Sequence, residues 1–115
     1  MEDFQIAGQA RDDVYVIDIR GDLDIVTSRQ LDDVLSRART SFTRIVLDLS
    51  HVDFMDTSSL AVIVGHWKSL EETGGSVVLA GARYQSTKSL WITGLADRIR
   101  LYDNADAAVR AVTEA

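Results

Sequence analysis

The run Ile45-Val46-Leu47-Asp48-Leu49 is apolar at every position but one. A strand with one face in water alternates apolar and polar residues. An unbroken run belongs to a strand covered on both faces, as happens where helices pack on either side of a largely parallel sheet. The flanking sequence supplies the rest of such a fold. Val-Tyr-Val-Ile-Asp-Ile at 14–19 reads as a second strand, with Val14, Val16 and Asp18 on one face and Tyr15, Ile17 and Ile19 on the other. A short strand at 4–7, closed by Gly8, joins it as a hairpin. Leu31, Val34, Leu35 and Ala38 recur at helical spacing behind a cap at Thr27 or Ser28. From Thr57 the pattern is helical again, with Leu60, Ile63, Val64, Trp67 and Leu70 on one stripe and Thr73-Gly74-Gly75 as the stop. A strand at 77–80, a helix at 86–93 stopped by Gly94, a short strand at 99–102 and a helix at 105–113 capped by Asp103 or Asn104 complete the order. Residues 21–24 and 50–56 read as loops, the second with Val52 and Phe54 partly buried. This alternation predicts an α/β fold: one domain over residues 1–115, with a mixed, mostly parallel sheet, an N-terminal hairpin and about four flanking helices.

Composition removes several function classes. The chain has no Cys, which excludes disulfides, thiolate metal sites and Cys nucleophiles and suits a reducing cytoplasm. Its two His, His51 and His66, leave little material for a metal site or a His-based triad, so no metal or cofactor is expected. A net charge of −6 argues against nucleic acid, whose phosphates call for a basic stripe. No apolar run approaches the roughly 18 to 20 residues of a membrane span. The start Met1-Glu2-Asp3-Phe4 is acidic where an export signal is basic, so the expected location is cytoplasmic, away from membranes.

In open α/β sheets function sits beyond the carboxyl ends of the strands. Two connections stand there, 21–24 and 51–56, and the second leads into Phe54-Met55-Asp56-Thr57-Ser58-Ser59-Leu60. Asp56 has the short acceptor side chain of an N-cap, with three hydroxyl residues in the turn behind it. Free backbone N–H groups and the positive end of the helix dipole meet at such a point, which suits a phosphoryl group. The same residues also serve as ordinary capping, and spacing alone does not separate the two. No Gly-x-x-x-x-Gly-Lys loop is present. A triad fails as well, because His66 lies roughly 12 Å along the helix from Ser58.

Together with Gly21-Asp22-Leu23-Asp24, Gly74-Gly75 and Lys88-Ser89-Leu90-Trp91-Ile92-Thr93-Gly94-Leu95, that segment (continued by Ala61-Val62) resembles the STAS domain of the anti-sigma factor antagonist, or anti-anti-sigma, type. The resemblance covers nearly the whole chain. It implies the STAS fold, no catalysis by this chain, and a binding switch. The unphosphorylated form captures an anti-sigma factor, which is an ATP-binding serine/threonine kinase, and so frees a sigma factor. Phosphorylation of the hydroxyl after the motif's Asp ends the capture, and a PP2C-type phosphatase resets it. Carried over, the acceptor is Thr57 behind Asp56, with Ser58 as a second candidate; the family's other acidic residue matches Asp24. The family usually reads Asp-Ser-Ser/Thr-Gly-Leu, so Thr57 brings a β-branch and Ser59 a side chain where a kinase would approach closely.

The partner-binding set expected on this basis is Asp24, Asp56, Thr57, Ser58, Ser59, Val62 and His66, with Val62 and His66 on the exposed side of the helix. Asp24 either orients the acceptor or contacts the partner, or else is a loop carboxylate capping the helix near Thr27. Asp22, Lys68 with Glu71 and Glu72, and Arg98 with Arg100 read as solvent-facing; Trp67 reads as core, and one of Leu90 and Trp91 as exposed. Two other readings stay open: a STAS regulatory or scaffold module not controlled by phosphorylation, and a small-ligand or nucleotide sensor using the loops at Asp24 and Asp56. An enzyme comes last, for want of a base, a metal set or a cofactor loop.

Overall fold

The structure, a computed structural model, describes residues 4–114. Its elements are β1 (Gln5–Arg11), β2 (Val14–Leu23), α1 (Thr27–Ala38), β3 (Arg44–Met55), α2 (Thr57–Glu72), β4 (Ser76–Ala80), α3 (Lys88–Ile92), a 3-10 turn at Leu95–Asp97, β5 (Leu101–Tyr102) and α4 (Ala105–Glu114). The five strands form one sheet in the order β1-β2-β3-β4-β5. β1 runs antiparallel to β2, and every other pairing is parallel. The α/β architecture read from the sequence is the one observed.

β3 explains the layers. Ile45, Leu47 and Leu49 enter a core shared with Ile17 and Ile19 of β2, Leu31 and Leu35 of α1, and Ile63, Trp67 and Leu70 of α2. Val46 points the other way, into a smaller cluster with Val14, Val16, Val78 and the α4 residues Ala108 and Val112. The two faces expected for residues 14–19 are therefore the two faces of the sheet. Asp48, the one carboxylate in the apolar run, is half-buried and accepts hydrogen bonds from the N–H and hydroxyl of Ser50 at 3.1 and 2.7 Å.

The strands are longer than their sequence signals. β1 begins at Gln5 and runs past Gly8, which lies mid-strand under the Tyr15 ring instead of closing the strand at 4–7. β2 includes Gly21, at φ 101°, and β3 continues to Met55, so residues 21–23 and 50–55 are ladder and not loop. Between Asp18 and Arg20, β3 fits three residues against two of β2; between Gly21 and Asp22 it fits two against one. These bulges bring Leu49, Val52 and Met55 into the core at a spacing of three instead of two. Val52 is fully buried as a result, while Phe54 stands half in water. The third helix shortens to Lys88–Ile92, and the last strand to Leu101–Tyr102, with Ile99 buried ahead of it. Asn104 caps α4, accepting from Ala107 N–H at 2.8 Å.

Two glycines bracket what the backbone tolerates. Gly81 closes β4 at φ +68°, and a Cβ there would stand 2.7 Å from Ser50 Cβ and 3.1 Å from Ser50 Cα. Gly65, inside α2, meets nothing within 4 Å. Gly81→Ala is expected to cost about 2 to 3 kcal/mol through strain and overlap. Gly65→Ala should instead gain about 0.5 to 1 kcal/mol from helix propensity. Chemical unfolding of the two variants checks both signs.

Candidate functional site

β2 and β3 end in register, Leu23 beside Met55, and their continuations lie side by side. Asp56 is the single residue between β3 and α2. It is extended at φ −99° and ψ 179°, and its N–H donates to Leu23 C=O at 3.0 Å. Its carboxylate turns onto the helix: Oδ1 accepts from Ser58 N–H at 3.0 Å, Ser59 N–H at 3.2 Å and the Ser58 hydroxyl at 2.6 Å. Ser59 is fully buried and donates its hydroxyl to Asp56 C=O at 2.7 Å. Two of the three hydroxyls in this turn are thus spent on the turn itself. Thr57 is exposed, and its hydroxyl has no hydrogen-bond partner among the described residues.

The neighbouring loop is built the same way. Asp24 Oδ1 accepts from Val26 N–H at 3.0 Å and Thr27 N–H at 2.9 Å. The Thr27 hydroxyl donates to Asp22 C=O at 2.7 Å and accepts from Asp24 N–H at 2.8 Å. The Thr27 N–H, helped by the Val26 N–H and opposed by desolvation, holds the Asp24 carboxyl below its ordinary 3.8. The start of α1 is therefore secured by Asp24 and not by a Thr27 or Ser28 cap; Ser28 is buried and donates to Ile25 C=O. Asp22 is half-buried.

Apolar side chains flank Thr57 on both sides. Ile25 and Val26 on the β2–α1 loop are 65% and 68% exposed, Phe54 near the end of β3 is 52% exposed, and Ile92 of α3 is 75% exposed. Ser89 of α3 donates to Met55 C=O at 2.9 Å, which fixes α3 beside the end of β3. Between them lies a cavity of about 480 Å³ whose walls include Phe54, Asp56, Thr57, Lys88 and Ile92. Of Leu90 and Trp91, Leu90 is core and Trp91 is exposed, edge-on to Tyr84. Trp67 is core as expected, and Lys68, Glu71, Glu72, Arg98 and Arg100 face water.

Three members of the expected partner set are placed elsewhere. Ser59 is sealed in the first turn of α2 and is not on the surface. Val62 is half-buried against the core. His66 is only 8% exposed and lies between α2 and α1. Its Nδ1 faces an Arg39 guanidinium N–H at 3.0 Å and its Nε2 faces Asp32 at 2.6 Å; Arg39 also donates to Ser69 at 2.6 Å. A guanidinium only donates, so Nδ1 is the acceptor, and the ring donates its Nε2 proton to Asp32. Asp24, Asp56, Thr57 and Ser58 do come together, but both carboxylates and Ser58 are occupied by capping. Sequence reasoning missed the exposed Ile25, Val26 and Ile92; the signal available was Ile25-Val26 following a polar turn. Among the described residues, no three His or acidic side chains cluster as a metal site would need, and no helix is long and apolar enough to cross a membrane.

A mixed five-stranded sheet with α1 and α2 on one face, α4 on the other and a capped helix start at the strand ends is the STAS fold. The chain belongs to the STAS domain family, whose pattern matches residues 5–108. It is 32% identical over 105 residues to the anti-sigma F factor antagonist of Paenibacillus polymyxa, covering 88% of this chain and 86% of that protein. It is 29% identical over 97 residues to the anti-sigma-B factor antagonist of Staphylococcus aureus, covering 84% and 90% respectively. Its fold matches that of an anti-sigma factor antagonist from Mycobacterium paratuberculosis with a TM-score of 0.87 at 23% identity, over 96% of this chain and 95% of that one.

Asp56→Ala removes the acceptor of three hydrogen bonds and is expected to lower stability by about 1 to 2 kcal/mol in chemical unfolding. Asp24 has a depressed carboxyl, so its contribution to the β2–α1 loop is complete above its ordinary value and is lost only as pH falls through the lower folded value. A carboxyl-carbon NMR titration should place its midpoint below 3.8.

Proposed function

We propose that this protein is an anti-sigma factor antagonist whose unphosphorylated form captures an anti-sigma factor kinase in the cytoplasm. Phosphorylation of Thr57 by that kinase ends the capture, and a PP2C-type phosphatase restores it. The names of the curated relatives support the antagonist role. The observation that carries the switch is the exposed Thr57 hydroxyl at the start of a 16-residue helix, between two exposed apolar flanks. Ser58 is the poorer acceptor, because esterifying it breaks its 2.6 Å bond to Asp56.

The chemistry is then local. Asp56 is committed to capping and gives Thr57 no base, so phosphoryl transfer draws its catalytic groups from the kinase. A phosphothreonine adds about −1.5 to −2 charges at pH 7. The α2 N-terminus tolerates that charge in water. Burial of the same charge against a partner costs several kcal/mol unless the partner supplies a cation. About 3 kcal/mol is roughly a hundredfold in affinity, enough to separate bound from free with no change of fold.

Intact mass and fragment analysis after incubation with ATP and the anti-sigma kinase encoded nearest the gene should show one phosphate, on Thr57. Thr57→Ala should bind the kinase and resist phosphorylation, whereas Thr57→Glu should bind at least tenfold more weakly. Equal binding by the two variants would overturn the switch, and phosphate on Ser58 would move the site.

A further inference from the structure

A second groove begins at Thr57 and runs away from the apolar flanks. Its α2 wall is Thr57, Leu60, Ala61, Val64, Trp67 and Lys68, and the opposite wall is Thr93, Leu95 and Arg98. The volume is about 360 Å³. The α2 residues recur at i, i+3, i+4, i+7, i+10 and i+11, so one face of the helix forms the wall for about 16 Å at 1.5 Å per residue. Leu60, Trp67 and Leu95 are nearly covered and make an apolar floor. Ala61, Lys68, Thr93 and Arg98 make an exposed rim.

The charge of the rim identifies what fits. In a chain of net charge −6, the groove has only two charged residues in its walls, and both are cations. Lys68 and Arg98, like most of the chain's cations, have no salt-bridge partner among the described residues, which leaves both free to meet a carboxylate. Of the two α2 carboxylates near Lys68, Glu71 accepts from the Trp67 indole N–H at 3.0 Å and Glu72 is exposed; neither lines the groove. Gly65 adds open space beside this wall, with nothing within 4 Å of where its Cβ would be. A trough of this length, apolar along its floor and cationic at the end far from Thr57, suits an amphipathic helix lying along α2.

We infer that the groove between α2 and residues 93–98 takes an acidic amphipathic helix of the partner, its apolar residues over Leu60, Val64 and Leu95 and its carboxylates at Lys68 and Arg98. This rests on the reading of the Thr57 face as the partner's docking face, and it extends that face about three helical turns along α2. Charge at the far end then selects the partner, while Thr57 at the near end controls whether it stays.

The probe is a stapled helical peptide of about 14 residues, with leucines at i, i+3, i+4 and i+7 and glutamates flanking them, beside a twin in which every glutamate is lysine. In amide-shift NMR with the full chain, the Glu peptide should move Ala61, Val64, Lys68, Thr93 and Arg98 and bind at least tenfold more tightly than its Lys twin. The double variant Lys68→Glu/Arg98→Glu changes only exposed side chains and should reverse that preference. Equal affinities, shifts away from the groove, or no binding by either peptide would overturn the inference. Capture of the anti-sigma kinase by Thr57→Glu is measured in parallel. If the peptide binds as expected while Thr57→Glu captures the kinase normally, the groove stands and the switch falls. If the peptide does not bind while Thr57→Glu loses capture, the switch stands and the groove falls.

Discussion

The shortness of one junction governs the whole site: a single residue, Asp56, lies between the last ladder position of β3 and the first turn of α2. Asp56 must close a strand and open a helix at once. Its N–H finishes the sheet by donating to Leu23 C=O, and its carboxylate starts the helix by accepting from Ser58 and Ser59. With no spare residues in the connection, the hydroxyls of Ser58 and Ser59 are drawn inward to complete the turn. Thr57 is the position left over, and its exposure follows from the capping around it. Because β2 ends in register with β3, Asp24 repeats the arrangement one strand away. The site thus gathers two carboxylates, each with its Oδ1 held by two backbone N–H groups, around one exposed hydroxyl.

The layers and the helices were legible in the sequence because apolar periodicity reports what faces the sheet. Leu60, Ile63, Trp67 and Leu70 show that stripe on α2, and all four are core. The carboxyl ends of β2 and β3 were misread for a physical reason. Two bulges make Leu49, Val52 and Met55 recur every third residue, a spacing that is neither strand nor helix and passes for a loop. Gly21 added to the confusion, since its positive φ belongs to the irregular stretch of a paired strand. His66 was misplaced for a different reason. The interface of α1 with that face of α2 is polar, made by Asp32, Arg39, His66 and Ser69, and no hydrophobic pattern marks it. The start of α2 was legible because Asp56 and three hydroxyls in succession carry a capping signal that survives without tertiary context, but that signal does not say which hydroxyl turns inward; the choice of Thr57 came from the family resemblance, and Ser59 was misplaced.

The exposed large apolar residues among the described residues are Ile25, Val26, Phe54, Tyr84, Trp91 and Ile92. All of them lie at or just beyond the carboxyl ends of β2, β3 and β4, on the side of the sheet where Thr57 stands. Burial of an aliphatic or aromatic side chain contributes about 1.5 to 3 kcal/mol when complete, and less from a position already partly covered. Four or five partial burials amount to several kcal/mol, set against an association cost of about 4 to 15 kcal/mol. A surface of that size sits near the threshold of binding and does not lie far beyond it. For the proposed switch such a balance matters: a penalty of about 3 kcal/mol would be absorbed by an interface with much to spare, but is comparable with the surplus of a marginal one. On the proposed reading the modest apolar patch and the bare hydroxyl act together, since a much larger patch would bind regardless of phosphate and a much smaller one would not bind at all.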